Sequence, residues 1–198
     1  MTREPIFTIG HSNHPIERFI ALLRRHEIKV VADVRSSPYS RHNPQFNRQE
    51  LKKRLNDNGM KYLFLGKELG ARSENPSDYE NGRVSYKRLA ANPMFISAID
   101  RLLIGAEEVR IALMCAEKEP LECHRTLLVA EALVGREVNV LHIMASGELE
   151  LHEATLKRLI AEVRPSPPNL FEPDRDILSE AMQMREQQIA YVRREVNA

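Results

Sequence analysis

The segment Cys115-Ala-Glu-Lys-Glu-Pro-Leu-Glu-Cys123-His124-Arg125 holds both cysteines of the chain, with an imidazole and a guanidinium beside the second. A thiol so placed can act as a nucleophile or a redox centre once it ionises. The segment falls between a predicted buried strand, Val109 to Met114, and a predicted helix from about Thr126 to Val134. Cys123 therefore stands at or just before a helix start, where unsatisfied N–H groups favour an anion. Arg125 adds a fixed positive charge, and His124 adds one when protonated. Glu117, Glu119 and Glu122 oppose them wherever they lie close, since a nearby carboxylate raises a thiol pKa. Cys123 is the expected nucleophile. Cys115 is a second candidate or a buried packing thiol, a common fate of free cysteines.

Spacing matches none of several familiar motifs. A cysteine-phosphatase loop places an arginine six positions after the cysteine, but Cys115 to Arg125 is too long and Cys123 to Arg125 too short. No C-x-x-C occurs. Cys115, Cys123, His124 and His11 together form a zinc set on paper, but C-x₇-C-H is not a usual zinc spacing, and no metal is expected. Neither a P-loop nor G-x-G-x-x-G is present, so the sequence identifies no cofactor.

Two further loops carry candidate groups. Gly10-His11-Ser12-Asn13 follows the strand Ile6 to Gly10 and precedes a helix, so its N–H groups, Ser12 and Asn13 are an expected anion cradle or a plain helix cap. Arg35 and Arg41 follow the strand Val30 to Val34, and two guanidiniums can grip a phosphate or carboxylate. Asp33 lies two residues before Arg35, on the same strand face. An aspartate in an apolar strand needs a partner, so Asp33 is either catalytic or a structural anchor.

These loops are positioned by alternating strand and helix patterns. Strands are predicted at Ile6–Gly10, Val30–Val34, Tyr62–Leu65, Val109–Met114 and Asn139–Ile143. Between them fall amphipathic helices carrying Ile16, Phe19, Ile20 and Leu23, and then Phe95, Ile96, Ile99, Leu102 and Leu103. Asn47 with Glu50 predicts a capping box, and Gly59 a helix stop. The polar stretch from Gly66 to Asn92, with a short helix near Tyr86, is long enough to be a lid or binding loop. The expected fold class is α/β: a Rossmann-like, mostly parallel sheet of about five strands with helices on both faces, plus a C-terminal helix. All three candidate loops then open on the carboxyl rim of one sheet, where such folds bind ligands. The expected domain spans residues 1–164. Residues 165–198 form a Pro-rich linker and an amphipathic tail helix from Asp174 to Val196, which packs back on the domain or forms a homodimer. After the Pro-rich break the tail is expected to be dispensable for folding.

Bulk properties narrow the class. The chain has 198 residues, 42% hydrophobic and 29% charged, which suits one soluble domain. It shows no membrane span and no signal sequence, and with two cysteines a cytoplasmic location is expected. Net charge is +1, yet residues 1–61 hold 12 Lys/Arg against 6 Asp/Glu. That asymmetry suits an anionic partner, although Arg24, Arg25, Lys52, Lys53 and Arg54 fit solvated helix faces.

Three blocks in order resemble one family. Thr8-Ile-Gly-His-Ser12, then Asp33-Val-Arg-Ser-Ser-Pro38 with Ser40-Arg41 and Asn43-Pro44-Gln-Phe46, then Cys115-Ala-Glu117 with Pro120 and Cys123-His-Arg125, are similar to the signature blocks of domain-of-unknown-function family 488. The resemblance covers roughly residues 6 to 160. It implies a Rossmann-like domain of a bacterial-type soluble protein, and it marks His11, Asp33, Arg35, Arg41, Cys115, Glu117, Cys123, His124 and Arg125. It brings no reaction with it.

The residues support three expectations. The first is an enzyme acting on a phosphate-bearing ligand, a nucleotide or nucleic acid. Arg35, Arg41 and Arg125 bind the anion, Cys123 or Cys115 is the nucleophile or reductant, and His11 or His124 carries the proton. The second is a non-catalytic nucleotide or nucleic-acid binding module with Tyr39, His42 and Phe46 as stacking groups. The third is a thiol switch between Cys115 and Cys123.

Overall fold

The computed structural model describes residues 4–163 and 174–193. Apolar runs supply the central strands β1 (Ile6–Gly10) and β2 (Val30–Asp33), followed by the weaker edge strand β3 (Lys61–Phe64). A short ribbon, β4 (Tyr79–Glu80) with β5 (Arg83–Val84), folds within the polar stretch. Then come β6 (Ile111–Cys115), β7 (Val140–Ile143) and β8 (Leu149–Leu151). The main sheet has the order β3-β2-β6-β1-β7-β8. Its first five strands are parallel, and β8 pairs antiparallel with β7. The fold is thus the expected α/β class with one more strand. That sixth strand is only three residues long, too short for an alternating pattern to announce it.

Strand alternation divides the core. Phe7, Ile9, Val31, Ala112 and Met114 face one side, where α1 (Ile16–Arg25) and α2 (Arg48–Asp57) cover them. Ile6, Ala32, Val34, Leu113 and Cys115 face the other. That second side is covered by α3 (Tyr86–Ala90), α4 (Pro93–Gly105), a π-helical segment Arg125–Ala130 continuing into α5 (Glu131–Val134), α6 (His152–Val163) and α7 (Asp174–Ile189). Gly59, at φ 74°, ends α2 as expected. The capping box does not form: the Asn47 side chain instead accepts from the Ser40 backbone N–H at 2.7 Å, tying the loop after β2 to the start of α2.

The tail helix is not a free appendage. Ala181 and Ala190 are buried in the core, and Glu186 accepts from the Tyr86 N–H at 2.8 Å. The backbone of Val84 donates to Tyr191, and that of Arg193 to Gly82. Dispensability of the tail for folding is therefore not what this packing predicts. The linker residues 164–169 and Val196 lie outside the described residues. Among those described, no helix is long and apolar enough to cross a membrane.

One buried polar chain runs through the second layer. The Thr8 hydroxyl donates to His142 Nδ1 at 2.7 Å, His142 Nε2 meets His152 Nδ1 at 3.0 Å, and His152 Nε2 meets the Glu131 carboxylate at 2.5 Å. Thr8 and His142 are register partners on β1 and β7, so alternation points both the same way. Burial, then the neighbouring His152, lowers the His142 pKa to about 2. An unfolded chain protonates this histidine near its ordinary value of 6.5, but the native state does not. This contribution to stability is complete above that pH and is lost as pH falls. Urea denaturation from pH 8 to 5 is expected to show declining stability, and His142→Gln to flatten the slope.

Candidate functional site

The carboxyl ends of β1, β2 and β6 surround a cavity of about 570 Å³. Its wall includes His11, Ser12, Asn13, Arg35, Glu117, Cys115, Cys123 and His124. The parallel sheet thus brings the three candidate loops to one rim, from both faces of the sheet.

From the α1–α2 side comes a buried charge pair. Asp33 accepts from Arg35 Nε at 2.9 Å, Arg35 Nη2 at 2.7 Å, the Arg35 backbone N–H at 3.1 Å and the Tyr62 hydroxyl at 2.7 Å. Its oxygens are saturated, so Asp33 is an anchor for Arg35. Arg35 also donates from Nη2 to the Phe46 carbonyl at 2.8 Å and from Nη1 to His11 Nε2 at 3.0 Å. His11 Nδ1 then donates to the Ser12 carbonyl at 2.8 Å. Burial first, and the Arg35 charge second, lower the His11 pKa to about 4. The imidazole is neutral at pH 7 and its acceptor nitrogen is occupied, which does not suit a proton carrier. Phe46 is buried and stacks on His11 with centroids 4.3 Å apart.

From the other side comes the thiol cluster. His124 Nε2 donates to the Val34 carbonyl at 3.1 Å, and this aims Nδ1 at both sulfurs, each 3.8 Å away. The Arg125 backbone N–H donates to Cys123 Sγ at 3.4 Å, as expected for a cysteine at a helix start. Burial alone pushes the Cys123 thiol up. The hydrogen bond from the Cys115 thiol, the Arg125 charge and the His124 charge outweigh it and hold Cys123 well below its ordinary value. Cys115 is correspondingly raised by donating to Cys123 and by burial. Burial disfavours the His124 imidazolium, but the Cys123 charge and hydrogen bond raise it overall. The directions of these shifts favour a Cys123 thiolate beside a His124 imidazolium, with the proton of the thiol pair on Cys115.

The glutamates fall into different roles. Glu119 is bound by Arg158 at 2.6 Å and so is already paired. Glu117 is exposed at the cavity wall yet crowded by protein, and burial, then the Cys123 charge, raise its carboxyl pKa. The Glu117 carbonyl packs over Gly10, where any Cβ would collide with it. Only glycine permits that approach.

Several expectations are corrected. The guanidinium of Arg125 is fully buried and donates to the Glu117 carbonyl at 2.5 Å and the Lys118 carbonyl at 3.2 Å, so it holds the loop rather than facing the cavity. Arg41 and His42 are exposed and do not line the cavity. The His11 and Ser12 N–H groups are spent on the Cys115 and Ala116 carbonyls, and α1 begins only at Ile16, so the backbone cradle is closed although the Ser12 and Asn13 side chains still line the wall. Of the three proposed stacking groups only Tyr39 lines the cavity.

Sequence reasoning missed Arg72, Tyr86 and Tyr191, which also line it. The Arg72 guanidinium lies over the Tyr191 ring at 5.0 Å. Their signal was weak: the length of the Gly66–Asn92 stretch marked a binding loop without naming a residue. For metals, the ligand atoms of Cys115, Cys123 and His124 lie within 4.8 Å of one another, and among the described residues no fourth such group joins them.

Residues 15–133 match the family described as Domain of unknown function DUF488, and the chain belongs to that family. His11 and Ser12 precede the matched segment. A search of curated proteins finds no match. One solved structure, a candidate phosphatase (DUF442) from Shewanella putrefaciens CN-32, aligns at 13% identity over 96% of this chain and 93% of that one, with a TM-score of 0.36. A likeness at that level carries no argument.

Removing one partner of a buried ion pair strands the other charge, at a cost of about 3–5 kcal/mol. Asp33→Ala is expected to lose that much in urea denaturation. Tyr62→Phe, which leaves the pair whole, is expected to lose much less.

Proposed function

We propose that the chain is an enzyme that acts on a phosphate-bearing ligand, a nucleotide or a nucleic-acid end, through the Cys123 thiolate. The observation that carries this reading is the position of the sulfur: at the edge of a polar cavity, with His124 and the Arg125 N–H stabilising its charge. A low-pKa thiolate beside cationic groups is the usual form of a nucleophilic cysteine. Arg35 supports anion binding. Among the described residues one Nη1 hydrogen of Arg35 is not committed to Asp33, His11 or Phe46, and the side chain borders the cavity. Arg72 adds a second cation, Ser36, Ser37, Ser40 and Asn43 add neutral donors, and Tyr39 offers an aromatic face at the mouth.

In this reading the Cys123 sulfur attacks phosphorus, and an S–P bond forms as the P–O bond to the leaving group breaks. Glu117, whose carboxyl is raised toward protonation, gives its proton to the leaving oxygen. Water, giving a proton to Glu117, then cleaves the S–P bond, releasing phosphate and restoring both the thiolate and the Glu117 acid. Asp33 and His11 act as positioning residues for Arg35.

The test is the alkylation rate of Cys123 against pH, followed by peptide mapping, with and without inorganic phosphate. A rate already on its plateau at neutral pH, and slowed several-fold by phosphate, is expected. A rate still climbing past about pH 9, as for an ordinary thiol of pKa about 8.5 or higher, removes the nucleophile role. Protection absent at high phosphate removes the anion site.

A further inference from the structure

The proposed attack on phosphorus uses Cys115 only as a hydrogen-bond donor, yet the chain's two cysteines share one spot. Their sulfurs lie within 4.8 Å of each other, and both face His124 Nδ1 at 3.8 Å. Cys115 ends a central strand whose backbone is paired on both sides, while Cys123 follows the loop 116–122. Both line the same cavity, and both are almost wholly buried. Sulfur lining that cavity is within reach of a small oxidant. A thiolate that is oxidised beside a second thiol condenses with it.

We infer that Cys115 is the resolving thiol of Cys123 and that the pair forms a two-electron redox centre toward small hydroperoxides. The inference rests on the reading of Cys123 as the reactive thiolate. The Cys123 sulfur attacks one peroxide oxygen and the O–O bond breaks. Cys123 becomes a sulfenic acid, and the departing alkoxide or hydroxide takes a proton from the His124 imidazolium. The Cys115 sulfur then attacks the Cys123 sulfur. The S–O bond breaks, the oxygen leaves as water with the Cys115 proton, and a disulfide remains. An external thiol reductant returns both cysteines to the reduced form as two of its own thiols become a disulfide. The lowered Cys123 and raised Cys115 pKa values match these roles, attacking thiolate and proton-bearing resolver.

The sequence supplies a direct readout. Trypsin cleaves after Arg110, Lys118 and Arg125, so the cysteines fall on separate peptides, residues 111–118 and 119–125. The full chain is treated with one equivalent of hydrogen peroxide, alkylated, digested without reductant and analysed by mass. The expected result is the two peptides joined by a disulfide, separated again by dithiothreitol. With Cys115→Ser, Cys123 is expected to accumulate as a dimedone-trapped sulfenic acid instead. If wild type shows free Cys115 and a sulfenic or sulfinic Cys123, the resolving role is overturned. If both thiols are silent until a chelator is added, the pair is a metal site and the inference is again overturned. The wild-type map needs no variant to fold. Rapid alkylation of Cys123 without disulfide formation sinks this inference alone, whereas slow alkylation sinks the thiolate reading as well.

Discussion

The rim of this sheet depends on one buried pair of opposite charges, Asp33 with Arg35. Neither side chain can leave water without the other. The carboxylate takes two guanidinium hydrogens, a backbone N–H and a phenol, and so fixes the guanidinium plane. The remaining donors then organise their surroundings. One sets His11 as a neutral ring, and another holds the short turn Pro44–Phe46, whose Phe46 ring packs on that imidazole. A strand end, a loop and a helix start are registered against one guanidinium. Because the β2 alternation puts this network on the α1–α2 side, it cannot compete with the thiol cluster for His124.

The two sides of the sheet contribute opposite chemistry to the same opening. One presents a fixed cation with its counter-charge buried behind it. The other presents the Cys123 sulfur, whose anion its surroundings favour, with the His124 ring held beside it by the Val34 carbonyl. Glu119 stays out of this balance because Arg158 also draws in Glu150 and Glu162 and binds all three carboxylates away from the sulfur. Glu117 shares the cavity with the thiols, and its environment favours its neutral form.

The sequence made the parallel core legible because β1, β2 and β6 are continuous apolar runs between amphipathic helices. Their loop ends follow from the fold, so Arg35, Cys115, Cys123 and His124 were foreseeable as neighbours. The fate of each arginine was not. Arg35, Arg41 and Arg125 are alike in composition and position, and only tertiary packing decides which faces the cavity, which faces solvent and which is sealed under the loop. Strand β8 escaped because three residues carry no period. The Asn47 side chain was legible as a cap but found a better partner in the Ser40 N–H. The cavity wall from Arg72, Tyr86 and Tyr191 depends on a long loop and on the tail returning to the core, contacts that local patterns do not encode.

The π-helical turn at Arg125–Ala130 sets a limit on how this site can vary. A π-turn carries one residue more than an α-turn, and all six residues of this segment are buried. Winding the same six residues as a regular α-helix, with none removed, turns everything before them by one residue's step, about 100°, relative to α5. Cys123 and His124 would swing away from Val34 and Cys115 even though each side chain remained in the chain. The phase of this helix is therefore as much a part of the site as its residues.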